Sequence, residues 1–97
     1  MEELCRKCEN LGDLRLRSGK INDYSIESIV KYCKKLHTLD LQECVSVSKE
    51  ALFLILDGVP ALQQLNLIGV PIATSDLRDT LQEKKRTLLK VLINPPN

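Results

Sequence analysis

A phrase of apolar residues, Leu-x-x-Leu-x-Leu, returns along this chain at almost constant spacing. It reads Leu11, Leu14, Leu16, then Leu36, Leu39, Leu41, then Leu62, Leu65, Leu67, and in weakened form Leu88, Val91, Ile93. The starts lie 25, 26 and 26 residues apart. A period of that length holds one short strand and one helix, and such a unit cannot bury its own apolar face. The units therefore have to stack, strand beside strand and helix beside helix, into one α/β domain over residues 1–97. The frame divides the chain into a partial repeat at 1–10, repeats at 11–35, 36–61 and 62–87, and a terminal strand at 88–94.

Between the leucine phrases a second pattern recurs. Ile21, Val47 and Ile72 come before the cap-capable stretches Asn22-Asp23, Ser48-Lys49 and Thr74-Ser75, and a helix is expected to start at each. In the first unit Ile26, Ile29, Val30 and Cys33 recur at helical spacing, so they should face the sheet while Glu27, Ser28, Lys31 and Lys34 face water. The third helix keeps Leu77 and Leu81 but is otherwise polar, as a terminal repeat requires. The middle helix breaks the pattern, because Phe53 and Leu54 stand where the others have Glu27 and Ser28 or Arg78 and Asp79. Either the helix is turned so that one of them tucks against a neighbouring helix, or the pair forms a small hydrophobic contact site on the outer surface. Its occupant would then be a second partner, another copy of the chain or another domain.

One Phe, two Tyr and no Trp within 43% apolar residues mean an aliphatic core. Fourteen basic against thirteen acidic residues leave a net charge of +1, too balanced to imply nucleic acid as a partner. The densest basic cluster, Lys84-Lys85-Arg86, closes a predicted helix, where positive charge complements the helix dipole; that reading is preferred to a nucleic-acid or lipid patch. The longest apolar run, Ala51 to Leu56, is six residues, far short of the roughly 20 needed to span a bilayer. Met1-Glu2-Glu3 has no basic-then-apolar signal character. The expectation is a chain with no membrane partner, located in the cytoplasm or nucleus.

The stretch Leu36-His-Thr-Leu39-Asp-Leu41-Gln-Glu-Cys44, then Val47, Ala51-Leu52, Val59-Pro60, Leu62, Leu65 and Leu67 resembles the cysteine-containing subfamily of leucine-rich repeats. The resemblance covers nearly the whole chain. Cys44 fits the subfamily's first Cys position, and Cys8, Cys33 and Pro60 fit its helix-end feature; Gly19 and Val70 depart from the first. The resemblance implies a solenoid, a right-handed βα superhelix with a short curved parallel sheet and helices on the convex side. The subfamily is known best from F-box proteins that recruit substrates to ubiquitin ligases, although no F-box is visible in these 97 residues. It thus implies a non-catalytic protein-interaction module, foremost the substrate-recognition part of a ubiquitin-ligase receptor, with a degradation substrate and ligase subunits as partners. The alternative is a structural or assembly subunit of a larger complex.

The ends bear on that choice. Leu4 to Leu11 aligns with Ile29 to Leu36, so the chain opens partway through the helix of an earlier unit. The expectation is a segment of a longer protein, or a partner over the first repeat, with an open N-terminal edge suited to weak self-association. Asn94-Pro95-Pro96-Asn97 cannot continue a ladder.

Cys5-x-x-Cys8 with Cys33 and His37 supplies zinc-ligand types. However, Cys8 and Cys33 occupy the repeat position that Val59 fills in the next unit, so small apolar packing is the preferred account, with no metal, no disulfide and no cofactor. One His without an adjacent nucleophile, and no glycine-rich phosphate loop, argue against an enzyme. What remains is the sheet face. If the phrase leucines point inward, the interposed residues point the other way: Asp13, Arg15 and Arg17; Thr38, Asp40 and Gln42; Gln64, Asn66 and Ile68; Lys90, Leu92 and Asn94. Of these, Arg15, Arg17, Thr38, Asp40, Gln42, Gln64, Asn66 and Ile68 are the candidate partner-binding residues, all expected to be exposed on the concave face. A merely solvated sheet face is the plainer alternative.

Overall fold

A computed structural model describes residues 9–17, 20–85 and 89–94. Four three-residue strands, β1 (Asp13–Arg15), β2 (Thr38–Asp40), β3 (Gln64–Asn66) and β4 (Lys90–Leu92), form one parallel sheet in chain order. Among the described residues three helices, α1 (Asp23–Tyr32), α2 (Lys49–Gly58) and α3 (Ser75–Lys85), make the crossovers. Leu4 to Cys8, assigned above to an earlier helix, lie outside the described residues, as do Gly19 and Arg86. Among the described residues no helix is long and apolar enough to cross a membrane.

Each helix begins where a side chain satisfies a backbone N–H that the helix itself leaves unpaired. Asn22 accepts from the Ser25 N–H, and Ser25 Oγ returns the contact to the Asn22 N–H, a capping box. Ser48 Oγ accepts from the Ala51 N–H at 3.2 Å, and Thr74 Oγ1 from the Leu77 N–H at 3.3 Å. The first two starts are also joined to each other: the Asp23 carboxylate accepts from the Ser48 N–H at 2.9 Å and from its hydroxyl at 2.6 Å. One unit therefore holds the cap of the next.

The leucine phrase sets the register. Leu14 pairs with Leu39, Leu39 with Leu65, and Leu65 with Val91, so one row of apolar side chains runs across the sheet. Ile26 and Ile29 of α1, Leu52 and Ile55 of α2, and Leu77 and Leu81 of α3 join this row in one core cluster, so all three helices share a face of the sheet. Cys33 and Val59, the C-cap residues of α1 and α2, are fully buried in it. Cys44 is buried as well, and its thiol donates to the Leu16 carbonyl of the preceding unit at 3.1 Å. Leu39 and Leu65 are fully buried, whereas Leu14 in β1 is only half-buried.

Close approach explains two glycines. A Cβ on Gly58 would lie 2.1 Å from Val30 Cγ1, so α1 and α2 can meet there only without a side chain. Gly69 follows β3 with φ +82, the position that Glu43 occupies after β2 with φ 63. Both turns need a left-handed residue, which glycine supplies without strain and glutamate does not.

Candidate functional site on the sheet face opposite the helices

Alternation along the strands places the side chains between the phrase leucines on the face opposite the helices. The register groups them into rows: Asp13, Thr38, Gln64 and Lys90; then Arg15, Asp40, Asn66 and Leu92. Two residues farther on, just past the strand ends, come Arg17, Gln42, Ile68 and Asn94. Arg15 and Arg17 are exposed, and Thr38, Gln42, Gln64 and Ile68 are half-buried. The composition changes from guanidinium at β1, through hydroxyl and amide at β2 and β3, to the apolar Ile68 and Leu92 towards β4.

Asp40 and Asn66 do not stand exposed, contrary to what alternation alone predicts. They are 5% and 9% accessible, the buried polar residues of the described chain. Each turns its oxygen back on its own backbone: Asp40 Oδ1 accepts from the Gln42 N–H at 3.0 Å, and Asn66 Oδ1 from the Ile68 N–H at 3.1 Å. These are Asx turns at the same repeat position, and they shape the ends of β2 and β3. Their role is first structural. Among the described residues every buried side-chain nitrogen or oxygen has a hydrogen-bond partner, so neither is a polar group left waiting for a ligand.

Asp40 also has a second duty. Its Oδ2 lies 3.4 Å from the Arg17 guanidinium. Arg15 is matched instead by Asp13 of its own strand at 3.5 Å, with both partners exposed. Exposed pairs of that kind contribute little stability. The Arg17 contact differs because its acceptor is buried and its other oxygen is fixed by the Gln42 N–H, so the guanidinium is held from below while remaining 56% exposed.

The helical side carries the second candidate. Phe53 is half-buried against the core, and Lys84 Nζ of α3 sits 4.8 Å from its ring centroid. Leu54 remains 39% exposed, in a recess of about 210 Å³ with Asp23, Glu27 and Glu50. The two residues line different recesses. Phe53 instead lines a groove of about 300 Å³ with Lys49, Ile72, Thr74 and Leu77. Ile72 is exposed there, unlike its counterparts Ile21 and Val47. The sequence holds the signal for this difference: Ile72 precedes its cap residue Thr74 by two positions, whereas Ile21 and Val47 precede theirs by one.

His37, the one histidine, is exposed, and Cys33 is buried. Cys5 and Cys8 lie outside the described residues. Among those described, no three His, Cys, Asp or Glu side chains are grouped to hold a metal ion. The chemistry on the sheet face is that of charge pairing, hydrogen bonding and apolar contact.

No family model matches the chain. The chain is similar to an F-box/LRR-repeat protein of Arabidopsis thaliana, with 28% identity over 67 residues. The matched stretch is 69% of this chain and 21% of that relative. The likeness is therefore distant, and the chain spans about a fifth of that relative's length.

Proposed function

We propose that this chain is a leucine-rich-repeat solenoid that binds another protein through the sheet face opposite its helices, as the substrate-recognition part of a ubiquitin-ligase receptor. The observation that carries the reading is the sheet itself: among the described residues, four parallel strands in chain order, repeated every 25 or 26 residues, with the three described helices on one face. Parallel sheets ordinarily have both faces covered, and the face opposite the described helices is where a protein partner would complete the packing. The distant similarity to an F-box/LRR-repeat protein supports a recognition role of this kind. On this reading the chain is not an enzyme, and it works in the cytoplasm or nucleus.

The test is native purification of the protein from cells, followed by identification of stoichiometric partners. The ligase reading predicts an adaptor and a cullin among them, together with a target whose turnover slows when Arg17→Glu is introduced. A stable assembly of fixed stoichiometry with no ligase subunit would replace it with the alternative, a structural or assembly subunit.

A further inference from the structure

We infer that the groove between α2 and α3 is a self-association site, in which a second copy of this chain docks through its own α2–α3 groove about a two-fold axis running along the groove. This surface belongs to the helical side, so it stands independently of the sheet-face reading. Phe53, Ile72 and Leu77 line a groove of about 300 Å³, and Ile72 keeps 37% of its surface exposed. Thr80 lines it too, with its hydroxyl already donated to the Asp76 carbonyl at 2.9 Å, so it requires no polar group from an occupant. Exposed apolar surface of this kind gains from being covered but does not by itself choose what covers it.

The charges choose. Lys49 of α2 and Asp76 of α3 line the same groove. Among the described residues neither takes part in an ion pair, and Asp57 does not either. Residues four apart share a helix face, which puts Lys49, Phe53 and Asp57 in one stripe on α2 and Asp76, Thr80 and Lys84 in one stripe on α3. Lys84 Nζ, over the Phe53 ring, places the lower end of the α3 stripe beside the α2 stripe. Both stripes begin in the first turn of their helix, and they read cation to anion on α2 and anion to cation on α3. A two-fold axis along the groove sets the α2 bank of one copy against the α3 bank of the other. Lys49 then meets Asp76 of the second copy, and Asp57 meets its Lys84, each contact made twice. The recess on the other side of α2 is the contrast: Asp23, Glu27 and Glu50 surround Leu54 there, and the same operation would set carboxylate against carboxylate. Of these two recesses, the one between α2 and α3 is complementary to itself.

The test is sedimentation velocity on the protein over a concentration series, with Lys49→Asp and Asp76→Lys made singly and their folding checked by far-ultraviolet circular dichroism. The parent should dimerise with a Kd of about 1 mM or tighter, and raised salt should weaken the dimer. Each single reversal should weaken it about tenfold or more, because like charges then face each other twice. An equimolar mixture of the two variants should recover dimerisation, since a copy with two acidic banks then meets a copy with two basic ones. Mixing cannot restore an attraction between neighbouring helices of one chain, so recovery assigns the contact to two copies. Ile72→Glu, at a side chain already 37% exposed, should also weaken the dimer about tenfold or more by setting like charges in the groove, and it carries the test if Asp76→Lys does not fold. A protein monomeric at about millimolar concentration, dimerisation unchanged by Lys49→Asp and Ile72→Glu as pairing through a strand edge would give, or a mixture no more associated than its two components would overturn the inference.

Discussion

At the scale of single residues, Asp40 and Asn66 separate what a strand pattern encodes from what it does not. Alternation assigns a side chain to a face but not to a depth, and on three-residue strands about 4.8 Å apart a short side chain is easily shielded by its neighbours. The sequence did contain the relevant signal: Asp and Asn recur at the strand end, where such residues bond to the N–H two positions on. Both should therefore be stability determinants. Asp40→Ala removes the acceptor of the Gln42 N–H and the partner of Arg17, and should cost about 1–3 kcal/mol, as should Asn66→Ala at the Ile68 N–H. Asp40→Asn retains an oxygen for Gln42 and should cost less than Asp40→Ala. Urea unfolding of the three variants gives the order, and an Asp40→Ala midpoint equal to that of the parent would return Asp40 to the class of surface residues.

At the scale of elements, the helix starts were legible because capping is local: Asn22, Ser48 and Thr74 each accept from an N–H three residues on. The joint between α1 and α2 was not, since the Asp23 to Ser48 contact spans 25 residues. Nothing in a propensity or a period distinguishes it from an ordinary N-terminal Asp beside a dipole. The next joint has Lys49 and Thr74 at the same places, and there the groove beside Phe53 and Ile72 is found. A carboxylate that holds the next cap should couple the two helices energetically. Ser48→Ala should cost about 1–2 kcal/mol through loss of the cap, and the Asp23→Ala, Ser48→Ala double variant should fall short of the summed single losses by at least about 0.5 kcal/mol. The same cycle on Lys49 and Thr74 should be additive within about 0.5 kcal/mol. Strict additivity at the first pair would mean that the 2.6 Å contact does not bind the units together.

At the scale of the whole molecule, the period and the phase of the leucines were the most legible features, since a stacked unit sees nearly the same neighbours as the one before it. Each interior strand is packed by the row of which it is a member, and stability in such an array comes from neighbour contacts more than from any one unit. The row Leu14, Leu39, Leu65 and Val91 therefore reports how evenly the array is packed. Leu39 and Leu65 are fully buried and flanked on both sides, so Leu39→Ala or Leu65→Ala should each cost about 2–5 kcal/mol through lost contacts and a residual cavity. Leu14 occupies the same position on a strand paired on one side only among the described residues, and it is half-buried. Leu14→Ala should cost less than either, because less apolar area is lost and fewer neighbours remain around the gap. Because three units are few, Leu39→Ala should lower the unfolding midpoint of the whole domain rather than release one repeat, giving coincident transitions by far-ultraviolet circular dichroism and by protection of α3 amides from hydrogen exchange. An early loss of structure around β2 with α3 still protected would show that the repeats unfold independently, and a Leu39→Ala variant melting with the parent would remove Leu39 from the core row.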